Sequence, residues 1–302
     1  MKQAPFASLS PFSRLLFAIA VSFTSFMLFF LISLLLAIPF FHQDLSGILA
    51  LLSKADDPAA LPLLEYFQVT QSIGLFIFPA LICAYLFGGR DDFLRTGNSP
   101  GFMVYLIVLV LMFISLPFVN SIVSLNESMK LPSWLSPLEE WMKSSEAQAE
   151  KLTGSFLKGT SFPHFLFNLF MIGILPALGE EFMFRGLLQR LIRDWTRSSH
   201  AAVWIAAFLF AAMHLQFYGI IPRMLLGAAF GYLFLWTGSI WVPVFAHFVN
   251  NSGAVVISYL SNLGVISEKY QEFGSTDNIM LIILSFLLSM TCMLIVYRRK
   301  PI

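Results

Sequence analysis

From Leu15 to Phe41 the chain carries no charged side chain, and apolar stretches of this kind recur along its length. About 20 apolar residues in a helix are enough to cross the hydrocarbon core of a bilayer. Runs near that length lie at about 14–41, 67–88, 101–124, 164–188, 200–217, 221–237, 240–262 and 279–297. The pattern predicts an all-α fold, a polytopic integral membrane bundle of about eight transmembrane helices. Composition agrees: 58% of the 302 residues are hydrophobic and 12% are charged. A soluble protein of this size could not hide so much apolar surface. The net charge of +1 leaves no basic footprint for nucleic acid, so the bilayer is the first partner. Cys83 and Cys292 sit in apolar runs without a CxxC neighbour. They read as packing residues rather than as a disulfide or a thiolate metal site.

The N-terminal MKQAPFASLSPFSR is short and polar, and the run behind it is too long for a signal-peptide core. It reads as a retained first span. Placing both termini in the cytoplasm puts Lys2, Arg14, Arg90, Arg95, Arg190, Arg193, Arg197, Arg298, Arg299 and Lys300 on that side. Lys54, Lys130, Lys143, Lys151, Lys158, Arg223 and Lys269 then face the other way. The bias favours an N-in, C-in topology, and the compact loops point to a prokaryotic plasma membrane. Three parts are expected. Residues 1–160 hold N-terminal transmembrane helices with an amphipathic interfacial segment near 131–152. Residues 161–265 form a transmembrane core, and 266–302 a last helix and basic tail. Within the amphipathic segment Trp134, Leu138, Trp141 and Met142 recur at helical spacing, opposite Glu139, Glu140 and Lys143. A helix in the headgroup layer and a surface helix docked on the bundle both fit.

Chemistry enters with GEEFMFRGLL, Gly179 to Leu188. Three charges at the bilayer centre cost roughly 8–10 kcal/mol, whereas ten Leu, Ile or Phe residues return only about 3–6. The folded protein must use or neutralise Glu180, Glu181 and Arg185. Glu181 and Arg185 stand one turn apart on one face, in the better order for an ion pair. Glu180 points about 100° away from Glu181, so its carboxylate is left for another task. Two further patterns follow. FAAMH sets His214 one turn after Phe210, and HFVNN sets Asn251 one turn after His247. Singly, each is what interhelical hydrogen bonding would produce. Counted from the cytoplasmic ends, Glu180 and His247 lie about 12 Å deep and His214 about 15–20 Å. One layer then holds a carboxylate, two imidazoles and an amide, an acid/base set with donors where each member is expensive.

EExxxR, FxxxH and HxxxN, in this order on successive apolar helices, resemble the CAAX-processing and bacteriocin-processing (CPBP) intramembrane proteases. These are also described as type II CAAX prenyl endopeptidases or the Abi family. All named positions match, over about 165–262. The resemblance implies hydrolysis of a peptide bond in a membrane-associated or peptide substrate, in a polar cavity open toward the cytoplasm. Glu180 and His214 would hold and activate water, with Glu180 as general base. His247 and Asn251 would donate to the oxyanion, and Glu181 with Arg185 would brace the site. The family is often labelled metalloprotease. Glu180, His214 and His247 could hold zinc with a fourth position for water, yet HExxH is absent, and a metal-free glutamate mechanism fits the same residues. GxSxG and GxGD are absent as well. Two other classes stay open: a non-catalytic membrane scaffold or immunity protein, and an ion- or proton-coupled transporter. No internal repeat is visible, which counts against the latter.

Overall fold

The computed structural model describes residues 4–53, 57–88, 93–267 and 273–299, and every regular element among them is helical. Helix α1 (Pro11–Phe41) begins where Ser10 accepts a hydrogen bond from the Ser13 backbone N–H, with Pro11 at its first position. Asp44 caps the short α2 (Leu45–Leu52) in the same way. Helix α3 spans Pro58–Phe87, and α4 (Phe102–Ile114) meets α5 (Leu116–Glu127) at a 45° bend. The long connection folds as α6 (Ser136–Leu157). Then come α7 (Phe162–Thr196), α8 (Ser199–Met213), α9 (Ile220–Thr237), α10 (Trp241–Asn262) and α11 (Ile279–Arg298).

The bend has a backbone cause. Pro117 has no N–H for the carbonyl of Phe113, so the helix breaks near Ser115. Freed groups are costly in hydrocarbon, and α11 supplies the remedy. Ser285 Oγ donates to the Ile114 carbonyl at 2.5 Å and accepts from the Phe118 N–H at 3.2 Å.

Among the described residues, five helices are long and apolar enough to cross a membrane, or six if the bent pair is one span. The expected eight are not reached. Helix α8 has 15 residues, about 22 Å against a core of about 30 Å. Helix α10 has the length, but His247, Asn250, Asn251 and Ser252 lie within it. Helix α7 in turn runs eight residues beyond Leu188, to Thr196, so Glu180 lies about 24 Å from that end rather than about 12 Å.

The two chain ends share one side of the bundle. Phe12 packs on Trp195 at 5.4 Å and Tyr297 on Trp236 at 5.3 Å, which puts them where α7 ends and α8 begins. Helix α6 lies across the opposite side. Trp141 packs on Phe217 at 5.2 Å and the Tyr218 N–H donates to Glu146 at 2.9 Å. It is docked on the bundle, while Trp134 lies in the 3-10 turn Ser133–Leu135 that precedes it and stays 77% exposed. Lys2, Lys54, Arg90, Lys269 and Lys300, used for the orientation, lie outside the described residues. Cys83 is fully buried among Ala80, Phe87 and Phe184, as expected of a packing residue.

Candidate active site

Helix α7 leaves α-helical winding twice, in π turns at Leu169–Ile174 and Phe182–Leu188, on either side of Glu180 and Glu181. Such turns collect at functional sites because they free backbone groups and re-aim side chains. The first has a cause in the sequence. Pro176 stands four residues after Ile172 and brings no N–H, so the Ile172 carbonyl lacks its helical donor. Asn251 of α10 supplies one, with Nδ2 at 3.0 Å. The two helices can come this close because Gly173 faces Ser252; a Cβ there would lie 2.7 Å from Ser252 Oγ.

The expected pairing of Glu181 with Arg185 is present. Arg185 Nη1 donates to Glu181 Oε1 at 2.9 Å, with both side chains fully buried. The same oxygen takes a second bond, from His247 Nδ1 at 2.8 Å. Arg185 Nη2 donates to the Gly227 carbonyl at 3.0 Å, and Gln189 Nε2, one turn on, to the Gly231 carbonyl at 3.1 Å. This two-rung ladder needs α9 to approach closely. A Cβ on Gly231 would come within 2.8 Å of Gln189 Oε1. Aromatic rings close the cage: the Arg185 guanidinium lies 4.6 Å from the Phe210 ring and 5.6 Å from Phe230.

Glu180 is placed differently. Its side chain is 13% exposed, Oε2 has no hydrogen-bond partner, and His247 Nε2 lies 3.8 Å away. His214 ends α8, and its Nδ1 meets the Phe210 carbonyl at 2.8 Å. A carbonyl only accepts, so Nδ1 carries the proton and Nε2 is left for the site. His247 is pinned in the same sense, Nδ1 toward Glu181 and Nε2 toward Glu180. Phe230 stacks on its ring at 5.5 Å and Phe210 meets it edge-on at 5.8 Å. Asn251 keeps one amide N–H beyond its bond to Ile172, while its Oδ1 accepts from Asn250 at 3.2 Å.

The structure thus gathers Glu180, Glu181, Arg185, His247 and Asn251 on α7 and α10, with His214 on the end of α8. Residues 181–187 are all buried, so the layer on the side of the chain ends is closed. Glu180, His214 and Asn251 are the half-buried members, and His214 lies at the end of α8 that leads into the Phe217–Gly219 turn packed on α6. Sequence reasoning missed Gln189, Gly227, Gly231 and Phe230. Gln189 continues the face of Glu181 and Arg185, and GAAFG is a small-residue pair at i,i+4, so both were visible as spacing.

A zinc site on Glu180, His214 and His247 does not fit this arrangement. Among the described residues no three His, Cys, Asp or Glu side chains converge on one point. One nitrogen of His247 is turned to Glu181 and the other lies 3.8 Å from Glu180 Oε2. Two donors about 2.0–2.2 Å from a tetrahedral centre stand about 3.4 Å apart, so that 3.8 Å is close to a ligand spacing; the misfit is the lack, among the described residues, of a third side chain converging with them.

Residues 162–253 match the family model described as Type II CAAX prenyl endopeptidase Rce1-like. That stretch holds all three motifs, and it meets the resemblance read from them. The uncharacterized protein YpbD of Bacillus subtilis (strain 168) is 33% identical over 93 residues, 30% of this chain and 42% of that protein. The chain therefore spans less than half the length of this relative. No solved structure matches.

Proposed function

We propose that this membrane protein is an intramembrane endopeptidase that hydrolyses a peptide bond with water activated by Glu180. The observation that carries the reading is the unpartnered Glu180 Oε2, buried beside His247 Nε2 at 3.8 Å. A buried carboxylate oxygen without a donor is expensive, and a water between Glu180 and His214 Nε2 would satisfy it. Glu180 takes a proton as the water oxygen attacks the scissile carbonyl. The remaining Asn251 N–H and a protonated His247 Nε2 donate to the oxyanion. Glu180 then returns the proton to the amine as the C–N bond breaks. Glu181 and Arg185 hold the His247 ring in register, and no step requires a metal.

His214 lies at the end of α8 away from the chain ends, so a site that opens past His214 opens on the side opposite the termini. The arginine bias supports N-in and C-in, which turns the mouth outward, in a prokaryotic plasma membrane. Labelling of Trp141→Cys in intact cells by an impermeant thiol reagent tests this; protection there together with labelling near Arg14 would invert it.

The central experiment exposes the purified protein to a peptide library and reads new termini by mass spectrometry, wild type against Glu180→Gln. We expect cleavage that persists after chelation and vanishes in the variant. Cleavage by Glu180→Gln would remove Glu180 as base, and zinc whose removal ends turnover would reinstate the metal reading. A wild type that cleaves nothing would favour the scaffold.

A further inference from the structure

Beside the proposed site, on the other flank of α10, lies a cleft of 710 Å³ between α5, α10 and the turn at 273–277. Asn120 fixes that turn by donating to the Phe273 carbonyl and to Ser275 Oγ, each at 3.2 Å. The α10 wall presents Asn250, Gly253, Ala254 and Ile257, one helical face at i, i+3, i+4 and i+7. Three features make it more than a dent.

First, it adjoins the site. Asn250 donates to Asn251 Oδ1 at 3.2 Å. Asn126, between the cleft residues Ser124 and Glu127, bonds the Phe217 carbonyl at 3.4 Å and the Ile221 N–H at 3.0 Å, in the segment that follows His214. Second, its α10 wall is cut low. A Cβ on Gly253 would meet nothing within 4 Å, and an interior helical glycine costs about 1 kcal/mol relative to alanine. Small residues here let another backbone approach, beside the amide of Asn250. Third, among the described residues the ionisable groups lining the cleft are Glu127 and Asp277.

We propose that this cleft is the substrate groove, and that it takes an extended peptide segment whose lysine or arginine side chain lies toward Glu127 and Asp277, within a few residues of the scissile bond. Cleavage of the bound segment rests on the proposed protease activity; its binding in the groove does not. Consecutive residues of an extended peptide advance about 3.3 Å. Asn250 on the cleft wall bonds the oxyanion residue Asn251 at 3.2 Å, so a segment in the cleft runs along the helix that carries that residue.

Fluorescence anisotropy in detergent with labelled decapeptides, alike except for one central Lys, norleucine or Glu, separates the two claims. The protein should bind the Lys peptide about tenfold more tightly than the Glu peptide, the scale of a partly desolvated charge contact. Glu127→Gln with Asp277→Asn should bring the ratio near one, and lysine at both positions should invert it. Gly253→Leu should weaken all three peptides together. A ratio unchanged in the charge variants, or full binding by Gly253→Leu, overturns the groove. Selective binding without any cleavage would keep the groove and remove the protease reading. Cleavage indifferent to the central residue would do the reverse. Melting curves on each variant identify any that fails to fold, and the Gly253 and charge variants test opposite walls.

Discussion

The two halves of α7 on either side of the Glu180–Glu181 bond differ in how their polar groups are treated. Toward the chain ends, Glu181, Arg185 and Gln189 are buried, and each side chain donates to or accepts from α9 or α10. Glu181 Oε2 and Gln189 Oε1 also lack a partner, but each of those side chains is held through its other polar atom. Toward α6, Glu180 Oε2 has no partner, and His214 Nδ1 is spent on a carbonyl while Nε2 is left over. One half neutralises its charges; the other leaves them available. Side chains held by buried hydrogen bonds are fixed in place, whereas a buried side chain without such a hold costs stability and stays free to take a partner. Adjacent residues of one type have thus been given separate tasks by their direction.

The largest expected effect tests the available half. Glu180→Gln should lower turnover by at least about 10³-fold, because the amide cannot take the proton. The melting temperature should stay level or rise, since a buried carboxylate has been removed. A variant that melts early would place Glu180 among the bracing residues and dissolve the comparison.

The bracing half should respond in stability. Glu181→Leu strips the acceptor from both Arg185 and His247, and removing one partner of a buried pair costs about 3–5 kcal/mol. Arg185→Met should cost less, because Glu181 keeps its bond from His247 at 2.8 Å. The double variant should recover most of the loss but stay about 1–3 kcal/mol short, the cost of a buried donor left without an acceptor. Thermal melts of the four proteins give the answer. If Arg185→Met rescues Glu180→Leu rather than Glu181→Leu, the two carboxylates have been assigned the wrong way round.

The Glu181–Arg185 pair was legible because i,i+4 spacing is a local property of a helix. So was the separate direction of Glu180. The second bond to Glu181 was not, because it depends on which nitrogen of His247 faces α7, and that is set by Phe230 and Phe210 stacking on the ring. The end of the Glu180 helix was not legible for another reason. Arg190 and Arg193 read as the start of the aqueous side, whereas α7 carries them through another two turns. The short α8 and the polar-interrupted α10 were read as full spans because apolar content alone does not say whether a segment ends at the site or passes it.

Asn251 stands between the halves, spending one N–H on structure and keeping one for the oxyanion. Asn251→Ala should reduce kcat about 10²–10³-fold with KM little changed. It should also lower stability, since the Ile172 carbonyl loses its donor. A change confined to KM would make Asn251 a substrate-binding residue.

The smallest expected effect bears on why Asn251 is held at all. Pro176 withholds a helical N–H from Ile172, and Asn251 answers with its amide at 3.0 Å. Pro176→Ala restores the missing donor. The π turn at Leu169–Ile174 can then relax toward regular winding, which re-satisfies Ile172 and releases the amide. Stability should hold or improve, because a helix-interior proline costs about 3 kcal/mol before compensation. Turnover should fall several-fold, because a freed Asn251 must be oriented anew in each cycle and ordering a side chain costs about 0.5–1.5 kcal/mol. Adding Asn251→Ala to this variant should then cost less stability than it does in the wild type. That coupling is the decisive quantity. If the two substitutions add independently in melting, the proline and the amide are not linked, and the first π turn serves only to aim Glu180.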